Sequence, residues 1–151
     1  MRRTCLKGDA CAIARTLDII GDWWSLLIVR DAIAGRRRFG EFQRHLGMAK
    51  NILAARLKSL VEQDIMRAEP ASDGSAYQEY VLTEKGKSLL PVLIALGQWG
   101  AQYTFASDER PPGAVDRKEH KPLRGIELKA EDGRTLQFDD VLLPSSPSRP
   151  A

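Results

Sequence analysis

Along most of its length the chain alternates apolar stretches of helical period with short polar joints that carry glycine. From Cys11 to Ile20, the residues Ile13, Ala14, Leu17 and Ile20 share one side of a helix, which Gly21 ends. Asp22 is placed to cap a second helix, WWSLLIVRDAIA, which Gly35 terminates. Trp24, Leu27, Ile28 and Ile33 make that helix apolar on most sides, so it belongs at the centre of a core. Arg36 to Arg38 then form a short extended piece. They lead into a helix with Phe39, Phe42 and Leu46 on its inner face, broken at Gly47. The next helix spans Lys50 to Gln63. Leu53, Leu57, Leu60 and Val61 share one of its faces, Asn51, Ala55 and Lys58 lie opposite, and Ala54 sits on the flank.

Two short helices joined by a tight glycine-containing turn read as a helix-turn-helix. The second has an inner stripe and an outer face of short and basic side chains that suits a DNA major groove. Ile65 to Glu69 and Tyr77 to Leu82 alternate as strands do, with Ser72-Asp73-Gly74-Ser75 as the turn between them. This hairpin is a wing, and its tip carries no arginine. Thr83 is a good N-cap for a long helical segment. Leu89, Val92, Leu93, Leu96, Trp99 and Tyr103 make one stripe there, and Pro91 kinks or restarts the helix. Such a stripe, following an already complete domain, is expected to pack on a second copy of the chain. Residues 107–123 read as a polar linker and 124–143 as a second hairpin around Glu131-Asp132-Gly133-Arg134, with Ile126, Leu128, Leu136 and Phe138 alternating. Residues 1–10 read as a flexible arm, 11–106 as the winged-helix and dimerisation domain, and 144–151 as a disordered tail. The fold class is mainly α with a small β component.

Composition adds one decisive point. The 151 residues are 43% hydrophobic and 28% charged, ordinary for a globular protein. The net charge is only +3, but it is unevenly placed. Residues 1–67 hold 13 lysines and arginines against 7 acids, and the remainder 10 against 13. A polyanion is drawn to the N-terminal half. No apolar run reaches the roughly 18 residues of a membrane span, and no targeting signal is evident, so a cytoplasmic location and no membrane partner are expected. Two cysteines at C-x5-C spacing match neither a zinc knuckle nor a thiol oxidoreductase motif, and neither His45 nor His120 has ligand spacing to them. No metal, no cofactor and no enzymatic activity are expected, because no nucleophile-base pair and no phosphate-binding glycine loop is present.

The segments LDIIGDWWSLLIVRDAIAG, RRRFGEFQRHLGMAKNILAARLKSLVEQDIMR and YVLTEKGKSLLPVLIALGQWG carry a resemblance. Preceded by Cys11, they resemble the HxlR family of winged-helix regulators, relatives of the MarR type, over residues 11–103. The matching motifs are the cysteine upstream of a Trp-x-Leu-Leu-Ile core, the R-R-F-x-E-F entry, N-x-L-x-x-R-L, and Y-x-L-T-x-x-G-x-x-L-x-P-V-L. The resemblance implies a homodimeric DNA-binding regulator with its long C-terminal helix in the dimer interface. Two positions depart from the family. Gly47-Met48-Ala49 stands where a serine-containing turn is usual, which weakens the helix cap, and Trp23 stands where a polar residue is common.

Candidate residues follow. Arg36, Arg37, Arg38 and Arg44 are expected to grip phosphates, which gives salt-dependent affinity without sequence information. Asp31 or Glu41 is a structural partner for at least one of them. Lys50, Asn51 and Lys58 are candidates to read bases or phosphates, with Ala54 and Ala55 permitting close approach. Arg56, at the stripe's edge, is expected to brace its helix. The resemblance marks Cys11 as a sensor of oxidants or electrophiles, with Lys7 and Arg15 favouring a thiolate and Asp9 opposing it; a small buried helix residue is the plainer alternative, and Cys5 is a candidate resolving thiol within one chain or across the dimer. Trp23, Trp24, Trp99 and Tyr103 are candidates for a small-molecule effector pocket, against simple core and interface packing. The whole reads as a regulator, with repression the expected sense, that binds double-stranded DNA at a near-palindromic operator. The alternative is a winged-helix adaptor that binds protein instead.

Overall fold

The computed structural model describes residues 6–144, which divide into two compact units between Pro91 and Val92. Cys5, most of the expected tail and the first half of the expected arm lie outside the described residues. In the first unit the elements are α1 (Ala12–Ile20), α2 (Trp23–Ile33), α3 (Phe39–Leu46), α4 (Lys50–Glu62), β1 (Met66–Pro70), β2 (Gln78–Leu82) and a single-turn α5 (Glu84–Lys87). This is a winged helix-turn-helix. Residues 6–10 form a turn held to α1, with the Leu6 N–H donating to Asp18 at 3.0 Å.

The core gathers on one side of α4. Leu53, Leu57 and Leu60 are at most 1% exposed on α4, which packs on α2, α3 and β1, where Ile28, Val29, Phe42, Ile65 and Met66 are also buried. Asp22 caps α2 by accepting from the Ser25 N–H at 3.0 Å. One expectation is corrected here. The buried side of α2 is Ser25, Ile28, Val29 and Asp31, whereas Ile33 is 37% exposed. A helix apolar on most sides does not specify which side faces inward, and packing against α3 and α4 selects it.

α3 opens with the glutamate half of a capping box. The Glu41 carboxylate accepts from the backbone N–H groups of Arg37 and Arg38, at 2.8 and 3.0 Å. These two bonds hold its carboxyl below the usual range. A carboxyl lowered by folding contributes stability above its unfolded pKa, and that contribution is lost as pH falls through the folded value. Glu41→Ala is therefore expected to cost about 1 kcal/mol at neutral pH. The gap from the parent should narrow as pH drops below about 4. Thermal melts across that range check it, and a gap that persists in acid would assign the cost to something other than the carboxylate.

β1 and β2 pair antiparallel, with Met66 opposite Leu82 and Glu69 opposite Glu79. The extended piece before α3 joins them as a third, minimal strand. Arg38 bridges to Glu79, and the Tyr80 N–H donates to the Arg37 carbonyl at 2.7 Å. Thr83 caps α5 through the Gly86 N–H at 3.1 Å and donates its own hydroxyl to the Asp64 carbonyl at 2.6 Å. Gly86 has to be glycine, since a Cβ there would lie 2.1 Å from the Ile65 carbonyl oxygen.

The helical segment after Thr83 is divided. α5 ends at Lys87, and α6 (Leu90–Tyr103) starts anew with Pro91 in its first turn, where a missing N–H costs nothing. α6 buries none of its residues, and Leu96, Trp99 and Tyr103 are each at least half exposed. In the second unit the Gln98 side chain donates to the Arg124 carbonyl and accepts from the Ile126 N–H, both at 2.8 Å. The second hairpin is present but short, as β3 (Leu128–Lys129) and β4 (Thr135–Leu136), with Gly133 at φ +87° in its turn. The expected alternation stops at Leu136. Phe138 opens a 3-10 turn closed by Asp140 accepting from the Gln137 N–H, and its ring is 93% exposed.

Candidate nucleic-acid interface

α4 presents two unlike faces. Opposite the buried leucines, Lys50, Asn51, Ala54, Ala55 and Lys58 are all exposed. Lys58 has an exposed Glu62 one turn away at 3.8 Å, a contact worth little in water. The turn before α4 is made by Gly47 at φ +65° and by Met48, which is 4% exposed and fills the space beneath it. Ala49 at the N-cap offers no side-chain acceptor, so the first backbone N–H groups of α4 have no side-chain cap. Arg56 lies at the edge of the stripe, its Nε 3.4 Å from Asp22 Oδ1, at ion-pair range without hydrogen-bond geometry. It links α4 to the start of α2.

Each of the three consecutive arginines has an acidic neighbour. Arg36 Nε lies 3.8 Å from Asp31, Arg37 Nη1 lies 3.7 Å from Glu79, and Arg38 Nη2 bonds Asp73 at the wing tip and lies 3.7 Å from Glu79. Asp73 holds the Arg38 guanidinium more firmly protonated, and Arg38, aided by Ser75, drives the Asp73 carboxyl far below the ordinary range. The wing tip thus lacks its own arginine but is tied to one at the entry to α3. Arg44 is exposed, with its Nε donating to the Gly40 carbonyl at 3.2 Å.

Two buried acids organise these cations, and periodicity did not single out either as buried. Asp31, 1% exposed, accepts two bonds from Arg30, at 3.0 and 2.8 Å, and lies 2.6 Å from His45 Nδ1. Glu79, 5% exposed, accepts from the Ser72 hydroxyl at 3.0 Å and stands between Arg37 and Arg38. Glu69 directly across the strand pair would repel it, but Arg67 engages Glu69. A buried charge needs partners. The available signals were a lone aspartate in an apolar helix and a glutamate at an inward strand position.

The remaining candidates are placed as follows. Cys11 is the half-buried N-cap residue of α1, its N–H donating to the Asp9 carboxylate at 2.9 Å. Trp23 and Trp24 meet edge to face at 6.4 Å, with Trp23 76% exposed. Trp99 and Tyr103 form a tilted pair at 5.4 Å on α6, in the other unit. Among the described residues there is no group of three or more His, Cys, Asp or Glu fit to hold a metal ion, and no helix long and apolar enough to cross a membrane.

A family model described as HxlR-like helix-turn-helix matches residues 19–108. An uncharacterized HTH-type transcriptional regulator of Mycobacterium tuberculosis is 40% identical over 101 residues, which is 67% of this chain and 63% of that relative's own length. The crystal structure of PA1607, described as a candidate transcription factor, superposes with a TM-score of 0.88 at 51% identity, covering 93% of this chain and 99% of that one. The redox regulator HypR in its reduced form gives a TM-score of 0.57 at 29% identity, covering 62% of this chain and 94% of its own.

Proposed function

This chain belongs to the HxlR-like helix-turn-helix family, and on that premise we propose that it represses transcription by binding a near-palindromic operator as a homodimer. The observation that carries the reading is the division of α4 into a leucine face seated in the core and an exposed face of Lys50, Asn51, Ala54, Ala55 and Lys58. On this reading that face enters a major groove, where asparagine pairs with adenine and lysine reaches guanine or phosphate. Arg36, Arg37, Arg38 and Arg44 take backbone phosphates and set the register. The exposed stripe of α6 is the dimer surface, which sets half-sites about one helical turn apart.

The test is fluorescence anisotropy on the duplex upstream of the chain's own gene, with a scrambled duplex beside it. Binding should be specific and should weaken steeply between about 50 and 200 mM salt. Arg37→Gln is expected to lower affinity for both duplexes alike and to flatten the salt slope by about one. Asn51→Ala should instead cost about 1–3 kcal/mol on the operator alone. Absence of binding to either duplex at low salt would favour the protein-adaptor reading.

Cys11 is the proposed point of control. The positive end of α1 favours a thiolate at Cys11, and the Asp9 carboxylate that accepts from the Cys11 N–H opposes it. The likeness to a named redox regulator supports the same reading. Mild oxidation with diamide is expected to release the parent from its operator and to leave Cys11→Ser bound. Equal release of both would shift attention to a small effector at the exposed aromatic pairs, Trp23 with Trp24 or Trp99 with Tyr103.

A further inference from the structure

An open groove at the joint between α2 and α3 is lined by Ala34, Gly35, Arg36, Glu41, Arg44 and His45. Its charge is unbalanced. Asp31 beneath it already faces Arg30 and Arg36 from its own side and His45 from α3. Glu41, the acid on the groove wall, is occupied by the backbone N–H groups of Arg37 and Arg38. Arg36 and Arg44 therefore face the groove with one acid that is already satisfied and another buried beneath. The histidine adds a condition. An ionised carboxylate can only accept, so the 2.6 Å contact with Asp31 puts a proton on His45 Nδ1. Nε2 of the neutral ring is then an acceptor and repels an anion. A second proton turns it into a donor while Asp31 balances the new charge.

We propose that Arg36, Arg44 and His45 form a phosphate site that takes up one proton, at His45 Nε2, when it is filled. The assignment of that phosphate to a DNA backbone rests on the DNA-binding reading above; the site itself does not. His45 contacts Asp31 of α2, whose other oxygen holds Arg30, and shares the groove with Arg36 from the joint and with Glu41 and Arg44 from its own helix. Between about pH 6 and 8 imidazoles are the ordinary side chains that change charge, and the chain has two histidines, His45 and His120.

Two arms test the site on the full chain. In the first, dimethyl phosphate, a monoanion at both pH values, is titrated at pH 6 and 8 while the imidazole proton resonances are followed, with His45→Gln assigning the two signals. Phosphate should shift the His45 signal at pH 6 and much less at pH 8. In the second, anisotropy on the scrambled duplex is read at both pH values. The parent should bind about 10-fold more tightly at pH 6, as uptake of one proton allows. His45→Gln should show little pH dependence, and His45→Lys should bind tightly at both. A phosphate response without a pH-linked duplex response would assign the site to free phosphate, and this arm decides the site even if no duplex binds at all. An unmoved His45 signal, together with pH dependence that survives in His45→Gln, would overturn the proposal.

Discussion

Leu57→Ala is expected to lower the melting temperature by about 15 °C while leaving operator affinity at 25 °C within about twofold. Leu57 is 1% exposed, midway along the buried face of α4, with Leu53 and Leu60 on either side. Truncating a buried leucine removes its transfer free energy and leaves a cavity. Together these cost about 2–5 kcal/mol, set by how far the surroundings collapse. Here collapse is limited, because α4 is walled by α2, α3 and β1, and α2 and α3 also pack on each other and on β2. A loss of about 3 kcal/mol is a large share of the roughly 5–15 kcal/mol that holds a domain together. At 25 °C it still leaves most molecules folded, so the exposed face of α4 keeps its geometry. Leu57→Met, which preserves volume, should cost less than about 1.5 kcal/mol. Thermal denaturation by circular dichroism measures the first quantity and anisotropy the second. An unchanged melting temperature would refute the anchoring of α4 described here. Weakened binding by a fully folded variant would refute the separation of the two faces.

That separation was legible in the sequence because it depends on a local period. Leu53, Leu57 and Leu60 recur at helical spacing whatever they pack against, and Gly47 marks the turn before them. Pro91 likewise announced a break, and α6 does restart there. What local pattern could not supply was the partner of each charge. Asp31 finds His45 14 positions later, and Glu79 finds Arg38 far earlier in the chain, through an interaction that exists only once the extended piece has docked on β2. The consecutive arginines were evident as a cluster. Asp31 and Glu41 were named as partners for at least one of them, and Asp31 does face Arg36; its burial, and the role of Glu79, were not evident, since an acid in an apolar helix looks the same whether it faces in or out. The second hairpin erred the other way. Its alternation promised longer strands, but Leu128 is 58% exposed and nothing among the described residues covers Phe138, so pairing stops after two residues. Alternation extends strands when one face is buried, and that condition lies outside the segment itself.

Asp31→Ala carries the second large effect, and here stability and binding should fall together. The carboxylate is 1% exposed and joins α2 to α3 through Arg30, Arg36 and His45. Breaking a buried ion pair costs about 3–5 kcal/mol when the abandoned charge stays buried. In this case the stranded side chains are between a third and a half exposed, so they recover part of their hydration. About 2–3 kcal/mol is the expected loss, made up of charge-assisted hydrogen bonds rather than of a buried charge left alone. Asp31→Asn should be milder: its oxygen can accept from Arg30 while its N–H donates to His45 Nδ1 in the other tautomer, so the shape and hydrogen bonds are kept and only the charge is lost. The binding consequence follows from the same bonds. Without Asp31 the Arg36 side chain loses its carboxylate partner and α3 loses the His45 tether, while the backbone bond from the Arg36 N–H to the residue-31 carbonyl remains. Arg36 then samples many positions while Arg37 and Arg38 keep Glu79 and Asp73, and phosphate affinity is expected to fall a few-fold on operator and scrambled duplex alike, since no base contact has changed. Hydrogen exchange should quicken in α3 while the buried face of α4 stays protected. Intact binding with a lowered melting temperature would make Asp31 purely a stabilising residue. A loss confined to the operator would mean that it acts through α4, not through the arginines.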